Sequence, residues 1–94
     1  MVRVRRVVGT SMEPALYEGD IVFAWHKKPK KGDIVIANAQ GREVIKRITL
    51  FSPTQLYIQG DNASHSTDSR HYGPITVSDV TGVVWHIHRS RKKK

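Results

Sequence analysis

The chain has 94 residues, room for one domain with a thin core and no second one. Its composition excludes disulfide stapling and thiolate metal sites, because there is no cysteine, and leaves the redox compartment unread. Sixteen Lys and Arg against eight Asp and Glu give a formal net charge of +8, which favours anionic partners: nucleic acid, an acidic membrane leaflet or acidic proteins.

In chain order, Val2 and Val4 alternate with Arg3 and Arg5 and predict a strand that runs on to Gly9. Thr10 to Gly19 contains Pro14 and reads as a loop or a short turn of helix. Ile21 to Trp25 is a second strand, followed by a basic, Pro-containing hairpin from His26 to Gly32. Asp33 to Ala37 and Glu43 to Leu50 predict a strand pair turning near Gln40-Gly41, and Leu56 to Gln59 a short strand. From Gly60 to Pro74 the chain is polar, about fifteen residues without periodicity, a length that in so small a domain signals function or disorder. Val80 to Ile87 closes the fold as a last strand. No helix longer than a turn or two is expected. The predicted class is therefore all-β: a small, mostly antiparallel curled sheet or barrel with one long polar loop. Residues 1–88 form the single domain and 89–94 a basic C-terminal tail. No stretch approaches the roughly 20 apolar residues of a membrane-spanning helix, and no leader segment opens the chain.

Three segments stand apart from ordinary β sequence: Gly9-Thr10-Ser11-Met12-Glu13-Pro14, Val44-Ile45-Lys46-Arg47-Ile48, and Gly60-Asp61-Asn62 continuing through Ser66, Asp68, Ser69 and Arg70 to Gly73. On a strand, Val44, Lys46 and Ile48 share one face. A lysine between two β-branched neighbours tends to lose solvent, which disfavours its charged form and lets it serve as a general base near neutrality. Such a base can activate a serine hydroxyl, a weak nucleophile without help. Taken alone, Lys46 reads better as a snorkelling edge lysine than as a base, and Ser11 as a plain turn serine.

Together, and in this order, the three segments resemble the type I signal peptidase family, with its Ser-Met-x-Pro box, its Lys-Arg box and its Gly-Asp-Asn-x-x-x-Ser-x-Asp-Ser-Arg box. Gly19-Asp20 and Gly32-Asp33 resemble that family's turns before its second and third strands, so the likeness runs from about Val7 to Val84. The resemblance implies a signal-peptidase-like β fold and a serine endopeptidase that cleaves signal or leader segments from exported or precursor proteins. Ser11 would be the nucleophile, Lys46 the general base and Ser66 the residue that orients the lysine. Met12, Asp61, Asn62 and an Asp68–Arg70 ion pair would support the site, with Met12 helping to bury the lysine. No cofactor and no metal are implied. The substrate would be a peptide or preprotein with small residues one and three positions before the cut. The place of action implied is the outer face of the cytoplasmic membrane; the basic C-terminal run reads by its charge first as a solvated tail and second as a contact to anionic headgroups.

The chain departs from the family pattern in three respects. Gly9 stands where some members supply a second oxyanion donor from a serine. Only thirteen residues separate Arg47 from Asp61, so the large inserted domain of some members is lacking, as is the N-terminal anchor. A compact form of this kind also fits a dedicated maturation protease for one precursor, such as that of a nickel-type superoxide dismutase. Self-cleaving repressors share the Ser-Lys chemistry but not the third box. The reading of another class, a basic β-barrel that binds nucleic acid, is permitted by charge but needs stacking aromatics on a basic face, and the aromatics are few and scattered. Of the five histidines, His86 and His88 share a strand face while His65 and His71 flank the polar loop, a spacing that suits solvated side chains better than a metal site. Trp25 and Trp85 read as core or rim packing, and Trp25 beside His26, Lys27 and Lys28 also suits an interfacial position.

Overall fold

A computed structural model describes residues 1–89; the basic run Arg91–Lys94 lies outside the described residues. Seven strands form one antiparallel sheet: β1 (Val2–Arg6), β2 (Ile21–Trp25), β3 (Ile34–Ala39), β4 (Arg42–Phe51), β5 (Gln55–Gln59), β6 (Ile75–Thr76) and β7 (Val80–His88). Their order across the sheet is β1-β2-β7-β3-β4-β5-β6, a curled sheet that is not closed into a barrel. Among the described residues no helix is long and apolar enough to cross a membrane.

Local chemistry accounts for the turn between β3 and β4. Gln40 and Gly41 both adopt positive φ, 53° and 76°, as a two-residue hairpin joining antiparallel strands requires, and they pair β3 with β4 in tight register. The segment His26 to Gly32 is not a hairpin: β2 pairs with β1 and β7, and β3 pairs with β7 and β4, so the closing strand lies between the two it was expected to join. β1 ends at Arg6 rather than Gly9, although Val7 continues the alignment by bonding its N–H to the Asp20 carbonyl at 2.8 Å. The sixth strand is only Ile75–Thr76, too short to leave a periodic signal.

Each face of the sheet carries a core. Val35, Ala37, Ala39, Ile48, Leu56, Ile58 and Val83 pack on one, whereas Val7, Met12, Leu16, Val22, Ala24 and Ile36 pack on the other. β3 supplies both, because its alternate residues point to opposite faces and both faces are covered. The second core is roofed by the 7–20 loop through Met12 and Leu16, which are 2% and 0% exposed. That loop is tied at its base, where the Gly19 N–H meets the Val7 carbonyl at 2.9 Å and the Arg89 guanidinium bonds the Ala15 carbonyl and the buried Asp20 carboxylate. Arg89, expected to begin a basic tail, is thus held against the domain. Trp25 and Trp85 sit on the rim, about half exposed, with ring centroids 5.8 Å apart.

Candidate active site

The polar stretch from Gly60 to Pro74 is ordered around one carboxylate. Asp68 is fully buried and caps the four-residue helix α1 (Ser69–Tyr72), accepting from the Arg70 N–H at 3.1 Å. The same carboxylate accepts two bonds from the Arg70 guanidinium at 2.9 and 2.6 Å, one from the Gly60 N–H at 2.9 Å and one from the Ser66 hydroxyl at 2.9 Å. Burial by itself would raise the pKa of Asp68, but these donors outweigh it and hold the carboxyl well below the usual carboxylate range. The Ser66 hydroxyl donates its hydrogen bond to Asp68 and accepts one from the Lys46 Nζ at 2.8 Å. A chain of donors therefore runs from Lys46 through Ser66 to Asp68 and Arg70.

Lys46 is 5% exposed, opposite Val35 of β3 and on the strand face it shares with Val44 and Ile48. Desolvation is the main influence on its amine and lowers its pKa, Asp68 partly opposes that, and Arg70 adds to it. Because the strand is paired on one side with β3 and its neighbours are β-branched, the lysine has little freedom to reach water.

Ser11 stands on the 7–20 loop and is tied to the polar loop by Asn62. The Asn62 N–H bonds the Ser11 carbonyl at 2.8 Å and its Nδ2 bonds the Thr10 carbonyl at 3.1 Å. Gly60 explains how the two loops approach so closely. A Cβ on Gly60 would lie 2.6 Å from the Ser11 carbonyl oxygen and 2.7 Å from the Ser66 Cβ, and would overlap the Ser66 hydroxyl. Asp61, next in the chain, faces away from this contact and forms a two-pronged pair with Arg47, both bonds 2.9 Å, while Arg47 also holds the Gly32 carbonyl at 3.0 Å. Ser11, Met12 and Lys46 line one cleft of about 350 Å³ between the end of β1, the 7–20 loop and the first half of β4.

The structure thus links Lys46, Ser66, Asp68 and Arg70 by hydrogen bonds and sets Ser11 in the wall of the cleft that Lys46 also lines, tied to the polar loop by its carbonyl through Asn62, while Asp61 fastens β4 through Arg47. Met12 is mainly a core residue that shows one edge to the cleft. Gly9 has φ +83° with open space where a Cβ would stand, so it is the backbone conformation that selects glycine here. Two contributors had no role in the sequence reading. Gly60 was only the first letter of a box, although a glycine directly before Asp-Asn and after a strand is a signal of close backbone approach. Ser69, buried, accepts the Ile58 N–H at 2.9 Å and so docks α1 on β5.

Comparison with known sequences gives the family of the chain. The chain is 31% identical over 105 residues to mitochondrial inner membrane protease subunit 1 of Mus musculus, covering 82% of this chain and 63% of that protein. It is 32% identical over 88 residues to the signal peptidase complex catalytic subunit SEC11 of Ajellomyces capsulatus (strain NAm1 / WU24), covering 72% and 46%. It is 28% identical over 91 residues to signal peptidase I of Bacillus caldolyticus, covering 86% and 50%. The chain spans about half to two thirds of the length of these relatives. The Peptidase S24-like family matches residues 2–84, nearly the whole described fold with both loops of the site, and the chain belongs to that family.

Proposed function

We propose that this domain is a serine endopeptidase that removes leader or signal segments from precursor proteins, with Ser11 as nucleophile and Lys46 as general base. The observation that carries this reading is the buried Lys46 amine, held by Ser66 and opening on the cleft that Ser11 also lines. Burial favours the neutral amine, which has a lone pair to take the Ser11 proton as the hydroxyl oxygen attacks the scissile carbonyl. The resulting ammonium returns that proton to the leaving amine, and a water deprotonated by the same lysine then releases the acyl group. Ser66 fixes the direction of the Nζ, and the Asp68–Arg70 pair fixes Ser66. The Ser11 N–H serves as an oxyanion donor, a contribution of about 3 kcal/mol where such a donor is preorganised.

The substrate would enter as an extended segment. β1 pairs only with β2, and β4 pairs with β5 only from Arg47 onward, so backbone edges on both walls of the cleft lack a strand partner among the described residues. Relatives named as signal peptidases and as an inner membrane protease support a preprotein substrate and work at a membrane surface.

Cleavage of a signal-type peptide by the purified chain, followed from pH 5 to 10, tests the reading. The rate should rise with pH as the Lys46 ammonium loses its proton, at a pH below that of an ordinary lysine, and then level off. Ser11→Ala and Lys46→Ala should each lower kcat by about 10⁴-fold or more with the fold retained. Turnover surviving in either variant, or a rate independent of pH across that range, would sink the assignment.

A further inference from the structure

The cleft that holds Ser11 and Lys46 is unevenly charged along its length. Val7, Val8 and Ile45 give it an apolar wall, whereas the lining positions before them on β1 and β4, and so further along β4 from Lys46, are Arg5, Arg6, Arg42 and Glu43. Three arginines and one glutamate therefore line this part of the cleft. Arg5 and Glu43 form a two-pronged pair across the cleft, Nε to Oε2 at 2.6 Å and Nη2 to Oε1 at 3.2 Å, joining strands that are not neighbours in the sheet. The pair is open to solvent, with side-chain exposures of 35% and 40%. Arg6 and Arg42 are exposed and have no carboxylate partner among the described residues.

A planar guanidinium is shaped to hold a carboxylate by two parallel bonds, and an exposed pair of this kind is weakly held. Glu43 is thus an internal carboxylate in a place that a carboxylate from outside could take. Glu43 and Lys46 are three residues apart on β4, about 10 Å at roughly 3.3 Å per residue, and an extended peptide covers that span with the same number of residues.

We propose that this end of the cleft is a subsite for an acidic side chain of the substrate, three to four residues from the scissile bond, where Arg5, Arg6 and Arg42 receive the carboxylate and Glu43 competes for it. The inference rests on the peptidase reading above and adds to it a charge requirement on the substrate. Arg5, Arg6, Arg42 and Glu43 are specificity residues here and take no part in proton transfer.

The test uses signal-type peptides identical except for Asp, Asn or Lys at positions three and four on either side of the cut. The Asp peptide should be cleaved with a kcat/KM about three- to tenfold above the Asn peptide, and the Lys peptide should fall below both. The difference should lie mainly in KM and shrink as salt is raised. Glu43→Gln should widen the preference by removing the competitor. Arg42→Glu should reverse the order of the Asp and Lys peptides, and Arg6→Glu, on the opposite wall, serves where Arg42→Glu fails to fold. If Asp, Asn and Lys peptides are cleaved within twofold of one another, and charge reversal leaves that unchanged, the subsite is overturned while the peptidase reading stands. If no peptide is cleaved, the peptidase reading fails instead. The subsite is then judged by binding of fluorescent Asp and Asn peptides to the Ser11→Ala chain, where equal Kd values overturn it.

Discussion

Two ion pairs of the same chemical kind, Asp68–Arg70 and Arg5–Glu43, do opposite work in this molecule. Asp68 has no exposed surface and collects donors from Arg70, Gly60 and Ser66, so its charge is specified from several directions at once. Arg5 and Glu43 meet in the lining of the cleft, and each keeps more than a third of its side chain in water. In the first place, removing one partner strands several polar groups in the interior, so the pair behaves as a fixed part of the scaffold. In the second, water replaces whatever is lost, so the pair can open and exchange. The contrast explains why the lysine is held through the first, and why the second suits the proposed subsite.

Three substitutions would break or sharpen that contrast. Asp68→Ala should have the largest effect, lowering stability by about 3 kcal/mol, the lower end for a buried pair because water can reach the Arg70 head. The pKa of Asp68 is depressed in the folded state, so its contribution is complete above the unfolded carboxylate pKa of about 3.9 and is lost as pH falls below that. Urea melts of the variant and the parent should therefore differ widely at pH 7 and converge as the solution is acidified. A gap that stays constant with pH would show that charge is not what Asp68 contributes.

Gly60→Ala should come next. The added methyl meets the Ser11 carbonyl oxygen and the Ser66 side chain, and the backbone atom cannot swing aside, so a cost of about 1–3 kcal/mol is expected. Because the clash separates the Ser11 loop from Ser66, peptide cleavage should fall further than the shift in Tm alone explains, at temperatures where the variant is still folded. Unchanged kcat with a lowered Tm would assign Gly60 to packing only. Glu43→Gln should have the smallest effect on stability, below about 1 kcal/mol by urea denaturation, as for other exposed pairs. A loss as large as that of Asp68→Ala would erase the distinction between the two pairs.

Much of the strand content was legible in advance because period-two alternation and Gly or Pro punctuation are local signals. The strand predicted over Ile21 to Trp25 matches β2 to the residue, and the Gln40-Gly41 turn follows from the two positive φ angles that a short hairpin needs. Which strands pair was not legible between His26 and Gly32, since a basic, Pro-containing connection looks the same whether it joins neighbours or spans an intervening strand. Ile75–Thr76 leaves no signal in the sequence because two residues carry no period.

For the site, the sequence alone determined the residue types, their order and the strand face on which Lys46 lies, because alternation along a strand is a property of the chain itself. The neighbourhood of that lysine was decided only by tertiary structure. Its amine is desolvated by a core assembled from strands far apart in sequence, and it is aimed by Ser66, twenty residues further on. The approach of Ser11 to Ser66 rests on the missing side chain of Gly60, and the place of Glu43 across the cleft from Arg5 rests on the curl of the sheet. These are distances between non-neighbouring segments. They are set by how the two cores pack, and no local pattern of residues encodes them.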